Sequence, residues 1–268
     1  MQFRQQALAK LQSPDELDLP VRLARPQGWL ALGVTVVVMA AASVWAVTGS
    51  VASTVSAPAI LTHAQGSYVL QSPVAGQVTD VLARQGERLP AGTPVVKVRT
   101  PQGTSVVRTV AAGRVTTLAA TIGQIIHTGS DIAAVEKVAH AGDPLYATVY
   151  VPAENAAAVP AHAPVDLTVA SVPSQKYGVL RGRVRSVDRT AQSDRSIAAF
   201  LGDSQLGEQF TSKGRPVAVL VELEGTKATK SGYRWSTTGG PPFALDSMTL
   251  ASGSIKLADQ RPVDWLLP

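Results

Sequence analysis

The sequence contains no cysteine, which excludes disulfide staples, iron–sulfur clusters and thiolate zinc sites. The compartment stays open on this ground, because many bacterial proteins outside the cytoplasm also lack cysteine. Aromatic residues make up only 5% of the chain and charged residues 16%. No dense run of Lys and Arg interleaved with aromatics occurs, and the net charge of +5 is modest, so nucleic-acid binding has no support. The basic balance reads as a solvated surface, with a mild attraction to an anionic membrane surface as the alternative. His63, His127, His140 and His162 are widely scattered and form no metal-ligating motif; surface or turn histidines are expected, with no metal or cofactor. Ser186, Ser193 and Ser204 lie near Asp188, Asp194 and Asp203, but no G-x-S-x-G elbow surrounds any of them, and no catalytic residue is assigned.

What the chain does have is 45% hydrophobic residues over 268 positions, room for two or three small β-rich domains plus an apolar segment. From Trp29 to Val47 the sequence carries no charge. At 1.5 Å per residue this stretch reaches about 29 Å, close to the thickness of the hydrocarbon layer. A transmembrane helix is expected over 29–48, with Trp29 and Trp45 toward its two interfaces. Arg22 and Arg25 precede the span, whereas no Lys or Arg follows before Arg84, so the positive-inside rule places residues 1–28 in the cytoplasm and the rest outside. The expected location is the cell (inner) membrane, single-pass. A cleaved signal peptide is the competing reading, disfavoured by the length of the span and by its distance from the N-terminus. Within 1–28, a cytosolic stub, Phe3, Ala7, Leu8 and Leu11 fall on one helical face, and Ser13-Pro14-Asp15-Glu16 reads as a stop followed by a new N-cap.

The rest of the chain is organised around residues 72–138, where one pattern is written twice. The first copy has Pro73-Val74-Ala75-Gly76-Gln77-Val78, Gly86-Glu87 and Gly92-Thr93-Pro94-Val95-Val96. The second has Val110-Ala111-Ala112-Gly113-Arg114-Val115, Gly123-Gln124 and Gly129-Ser130-Asp131-Ile132-Ala133. Gly76 matches Gly113, Gly86 matches Gly123, Gly92 matches Gly129 and Val78 matches Val115, all at an offset of 37. Short β-branched stretches punctuated by glycine predict strands joined by tight turns, and these six glycines are assigned as the structural turns of the repeat. Neither copy is long enough to bury a core alone, so two halves packed face to face in a flattened β-sandwich are expected.

The twice-written A-G-x-V…G-x-x-[LI]-x-x-G-[TS]-x-[VI] resembles the biotinyl/lipoyl domain. Carriers of that family present a modifiable lysine on the hairpin between the halves. Here Gln102 and Gly103 stand at that tip, and the nearest lysine, Lys97, belongs to the preceding strand. The resemblance therefore implies the fold without the carrier chemistry.

After the repeat, 143–151, 165–169, 179–187 and 217–224 alternate as strands, Ser193-Asp194 caps a short helix over 197–201, and a small antiparallel barrel is expected over 139–242. Gly232-Tyr233-Arg234-Trp235 reads as a structural turn whose tryptophan packs on the barrel, or else as an exposed recognition patch. The stretch 243–268 is expected to pair with 49–71 in a membrane-proximal β unit. The fold class is thus mainly β, with a single N-terminal transmembrane helix, a split lipoyl/biotinyl-like sandwich, a barrel and a membrane-proximal unit, and no long coiled-coil hairpin.

This domain order is similar to that of membrane fusion proteins of the HlyD family, the adaptor subunits of bacterial export machines. The opening, Phe3-Arg4, Ala7-Leu8, Lys10-Leu11, Ser13-Pro14-Asp15-Glu16-Leu17-Asp18 and Arg25-Pro26-Gln27-Gly28-Trp29-Leu30-Ala31-Leu32, is similar to that of the secretion proteins of NHLM-type bacteriocin export systems. That resemblance implies an ABC transporter as partner, often one with a peptidase domain, an exported ribosomally made peptide, the lipid bilayer, a homo-oligomeric adaptor and no enzyme activity. Long adaptors of the family insert a helical hairpin between the lipoyl halves, for which the residues between Val98 and Thr109 are too few. Two alternatives stand beside this reading. One is the adaptor of a drug-efflux pump, which would ordinarily carry that hairpin and often a lipid-anchored cysteine. The other is a membrane-anchored biotin/lipoyl carrier subunit, which lacks its lysine here.

Overall fold

The computed structural model describes residues 26–48, 53–138, 140 and 142–257. The expected stub features, Arg22 and Arg25 included, and the segment 258–268 lie outside the described residues. Helix α1 (Pro26–Thr48) begins on a proline, whose fixed φ and missing N–H suit the first helical position. It is long and apolar enough to cross a membrane, and its side chains are exposed on all sides, Trp29 and Trp45 among them. Its three hydroxyls, on Thr35, Ser43 and Thr48, each donate to the carbonyl four residues back, so no hydroxyl of the helix is left open to an apolar surrounding.

The β-rich body is a separate compact unit. It starts with β1 (Thr54–Thr62), β2 (Ser67–Gln71), β3 (Gly76–Val81), β4 (Arg88–Leu89) and β5 (Pro94–Thr100). Next come β6 (Gly103–Arg108), β7 (Gly113–Leu118), β8 (Ile125–Ile126) and β9 (Asp131–Glu136). The second part holds β10 (Tyr146–Pro152), α2 (Ala153–Ala156), β11 (Pro164–Val169), α3 (Ser174–Tyr177) and β12 (Leu180–Ala191). It closes with α4 (Asp194–Leu201), α5 (Ser204–Thr211), β13 (Pro216–Leu223) and β14 (Thr249–Lys256).

Strands β2 to β9 form two four-stranded sheets, ordered β2-β9-β7-β4 and β6-β5-β3-β8. Adding 37 to each residue number carries β2, β3, β4 and β5 onto β6, β7, β8 and β9, so each sheet mixes strands from both halves. The buried core pairs off at the same offset: Leu70 with Val107, Val78 with Val115, Leu89 with Ile126, Val95 with Ile132 and Val98 with Val135. Even the register slip in β3, between Val78 and Asp80, recurs in β7 between Val115 and Thr117. Each half supplies one wall of the other's core, which is why a single copy of the pattern cannot fold alone.

The remaining six strands close an antiparallel barrel in the order β1-β10-β13-β12-β11-β14. Alternate residues of β10 face inward, Ala147, Val149 and Val151, and pack with Leu167, Val219 and Ile255. Its other face, Tyr150 with Ile60 on β1, is covered by the hairpin α4–α5, where Ile197, Leu201 and Phe210 complete a second small core. Tyr150 and Phe210 stack with ring centroids 4.5 Å apart. The expected helix over 197–201 is therefore real, begins at Asp194 with Ser193 as its cap, and continues into an unforeseen partner helix.

The structure draws two boundaries differently from the sequence expectation. The end strands β1 and β14 do pair, from Thr54 opposite Lys256 to Leu61 opposite Thr249, but they do not stand apart. The free edge of β1 is bonded to β10 and that of β14 to β11, so the pair closes the barrel and leaves no edge exposed. Residues 67–71 leave the expected membrane-proximal unit for the sandwich, because β2 is the two-fold mate of β6 and the sheet is incomplete without it.

The hairpin α4–α5 depends on its caps. Asp203 accepts hydrogen bonds from the Gln205 and Leu206 amides at 2.8 and 3.1 Å. Asp203→Ala is expected to cost about 1 kcal/mol and to speed amide exchange over 204–211, measurable by hydrogen-exchange mass spectrometry. Unchanged exchange there would mean that packing on the barrel alone holds the helix.

Candidate functional site

The hairpin β5–β6 ends in a two-residue turn, Pro101-Gln102, between the facing residues Thr100 and Gly103. Gly103 has φ of 129°, a conformation that glycine adopts without strain. Thr100 closes the turn by donating from Oγ1 to the Gly103 carbonyl and accepting from the Gln102 amide. Gln102 and Gly103 are exposed, and the tip presents no amine. Lys97 sits in β5 opposite Val106, its ammonium 4.0 Å from Asp80 on the neighbouring strand β3. Nothing at the tip can be acylated by a carrier-type ligase, and a two-residue turn leaves no room for a helical arm.

The six repeat glycines divide into two kinds. Gly86, Gly92, Gly123 and Gly129 have φ between 79° and 88° and sit in turns. Those turns are closed identically in both halves: the Glu87 carboxylate accepts from the Arg84 amide as the Gln124 amide oxygen accepts from the Thr121 amide. Gly76 and Gly113, by contrast, are not turn residues. They open strands β3 and β7, where a Cβ would overlap the backbone carbonyl of Arg99 and of Glu136, respectively. Sequence reading grouped all six because glycine spacing alone does not separate a left-handed turn from a close backbone approach.

The halves differ at one edge. Ile122 and Ile125, on the turn and strand ending at β8, are 70% and 71% exposed, whereas their counterparts at the offset of 37 are Gln85 and Arg88. β8 is an outer strand of its sheet, so this edge offers apolar surface that the other half lacks.

Between sandwich and barrel lies a buried polar cluster that scattered sequence positions could not announce. Glu136, at the end of β9, is fully buried, and its Oε1 accepts from Thr62 Oγ1, the His63 amide and His63 Nδ1 at 3.1, 3.0 and 2.8 Å. Burial pushes the carboxyl pKa up, but the His63 side chain, Ser247 and the His63 amide outweigh it and hold the pKa down to about 2. His63, read from the sequence as an ordinary surface or turn residue, is thus the hydrogen-bonding partner of a residue 73 positions away. His127, His140 and His162 are exposed, and among the described residues no three His, Asp or Glu side chains gather where a metal ion could bind. Trp235 is buried against the barrel core with Nε1 donating to Ser231 Oγ at 2.9 Å, so the 232–235 loop is a packed turn.

No family model matches the sequence, and no curated protein matches it. Solved structures do. ZneB from Cupriavidus metallidurans superposes with a TM-score of 0.51 at 12% identity, over 77% of this chain and 99% of that one. MacA from Actinobacillus actinomycetemcomitans gives 0.52 at 10% identity, over 80% and 81%. A MacA–MexA chimera containing the Pseudomonas aeruginosa MexA α-hairpin domain gives 0.51 at 11% identity, over 80% and 84%. The fold is shared with these solved structures, ZneB and MacA among them. At these identities the likeness concerns the fold alone. An α-hairpin domain is named in the chimera, whereas here Pro101 and Gln102 are all that separates β5 from β6.

Proposed function

We propose that this chain is the adaptor subunit of an export machine in the cell (inner) membrane. In this reading α1 spans the bilayer with residues 1–25 on the cytoplasmic side, and the sandwich and barrel stand outside. The observation that carries the proposal is the union of a closed six-stranded barrel with a lipoyl-like sandwich whose tip lacks the carrier lysine. That union keeps the scaffold of the adaptor fold and removes the one chemical group that would make it a carrier. Function then resides in interfaces, with no chemical step. The apolar edge at Ile122 and Ile125, present in only one of two otherwise matching halves, offers a surface for contact between copies.

The partner supported by the opening residues 3–32 is an ABC transporter, with a peptidase domain where the cargo is a ribosomally made peptide. The test is affinity purification of the tagged full chain from its own host, in detergent after mild crosslinking, with the co-purifying proteins identified by mass spectrometry. Near-stoichiometric recovery of an ABC transporter is the expected result, and a peptidase domain on it supports peptide cargo. Recovery of a proton-driven pump moves the assignment to drug efflux, and reproducible absence of any transporter sinks the adaptor reading.

A further inference from the structure

A cavity of about 350 Å³ lies on the outer wall of the barrel, between strands β10, β12 and β13 and helix α4. It plays no part in the adaptor reading. Its floor contains Thr148, which is 5% exposed and whose Oγ1 has no hydrogen-bond partner among the described residues. A buried hydroxyl left without a partner costs free energy, so its persistence at a cavity wall points to a group that can meet it from within the cavity. Two residues further along the same strand Tyr150 also faces in.

Across β13 stands Asp188 on β12. Val187, next to it, lies opposite Val219, while Tyr150 lies opposite Ala218, so Asp188 and Tyr150 flank one end of the cavity. Thr148 and Ser186 both lie opposite Leu220 and mark the other end. Asp188 is held in place from α4's approach: Gln192 Nε2 donates to Asp188 Oδ2 at 2.9 Å, and Ser196 Oγ in turn donates to Gln192 Oε1. No Lys, Arg or His lies within ion-pair distance of this carboxylate among the described residues; Arg185, two strand positions from Val187, is turned to the Tyr146 hydroxyl instead. The walls between the two polar ends are apolar, formed by Ile197 and Phe200 of α4 and Ala218 and Leu220 of β13.

A solvent-exposed carboxylate at one end, a buried hydroxyl at the other and an apolar slot between them define a recognisable shape. We propose that this cavity binds a small organic cation, a protonated primary amine on a flat apolar body that carries a second polar group at its far end. The ammonium donates to Asp188, the body lies between Phe200 and Leu220, and the distal group bonds with Thr148. Asp188 is exposed at the mouth of the cavity, so it repels an anion and favours a cation while its outer face stays hydrated. The volume is at the lower end of the range for small-molecule sites. Because α4 also packs on the sandwich, where Gly202 at its end meets Ser67 and Ala134, an occupant would brace sandwich and barrel together.

The probe is tyramine, with its amine and phenol at opposite ends of one ring, and the control is the alcohol in which a hydroxyl replaces the amine. The full chain in lipid nanodiscs, labelled on Ile and Leu methyls, is titrated with each. The expected result is saturable movement of the Ile197 and Leu220 methyl resonances with tyramine, a Kd higher by about threefold or more for the alcohol and for Asp188→Asn, and several-fold weaker binding in Thr148→Val. Resonances of Ile132, in the sandwich core, report that each variant remains folded. Failure of the Ile197 and Leu220 signals to saturate, equal binding of the alcohol, or an unchanged Kd in Asp188→Asn would each overturn the proposal.

Discussion

Replacing Gly76 or Gly113 by alanine is expected to unfold the sandwich while the left-handed turns tolerate the same change. At both positions the added Cβ would sit well inside 3.0 Å of a cross-strand carbonyl oxygen, Arg99 O for Gly76 and Glu136 O for Gly113, and would press on Val98 and Val135 as well. The carbonyls cannot swing away cheaply. Arg99 lies in the middle of its sheet, opposite Gln77 on one side and Thr104 on the other, and Glu136 is paired with both Ser67 and Arg114. Relief requires the strands to part by about an ångström, which opens the ladder beside Val78 or Val115 and unpacks the shared core. The expected cost exceeds about 3 kcal/mol at either site, in the range of severe overpacking. Gly92 and Gly129 have positive φ but open space around them, so alanine there costs only about 1–2 kcal/mol of left-handed strain. Hydrogen exchange over 76–136 separates the two classes, with protection lost in Gly76→Ala and Gly113→Ala and kept in Gly92→Ala. Native-like protection in Gly76→Ala would show that the strands separate easily and that the close approach is not what fixes this residue. Gly113→Ala should be the worse of the pair, because moving Glu136 also disturbs the contact with His63.

The duplication was legible because it is written in residue types with few substitutes. Glycines and β-branched residues repeated at the one offset of 37 survive in the sequence as the signature of a two-fold core, and the mates Leu89 with Ile126 and Val95 with Ile132 follow from it. Its first strand was missed, since Ser67 to Gln71 and their mates Thr104 to Arg108 share pattern more than identity and contain no paired glycine. The pairing of β1 with β14 was also legible, from two strand-like ends with no other partner. Closure of both into the barrel was not, because which strand edges meet is decided by twist and shear, properties of the whole sheet. The α4–α5 hairpin was half seen: Ser193 and Asp194 announce a cap, whereas Gly202-Asp203 reads equally well as the end of one helix or the hinge between two. The cavity beside Asp188 and the cluster around Glu136 were invisible for a common reason. Their members are far apart in sequence, and a buried Glu or Thr carries no mark of burial when read one residue at a time.

Glu136→Ala is expected to loosen the joint between sandwich and barrel more than any other single side-chain truncation at that joint. The change removes the acceptor of three hydrogen bonds at once, leaving the Thr62 hydroxyl, the His63 amide and the His63 ring to find other partners in a buried setting. An unmet buried donor costs about 1–3 kcal/mol, so a loss of more than about 3 kcal/mol is expected. Glu136→Gln keeps a neutral acceptor in place and should cost about 1–2 kcal/mol. The second oxygen, Oε2, has no well-formed hydrogen bond among the described residues, Ser247 lying near enough to favour the charge without bonding squarely, so the amide loses little there. The carboxyl's pKa of about 2 in the folded chain lies below its ordinary value of 4.5, so its ionised form stabilises the fold above pH 4.5 and that stabilisation is lost as the pH falls toward 2. The shift corresponds to about 3 kcal/mol at neutral pH. Thermal unfolding followed by the fluorescence of Trp235, which is buried in the barrel core, should therefore drop steeply between pH 4.5 and pH 2 in the wild type and change less in Glu136→Gln. Parallel curves for the two proteins would mean that Glu136 is not the group whose protonation opens the joint. A flatter curve for the variant would place acid sensitivity at the meeting of β1 and β9, where the chain passes from barrel to sandwich and back.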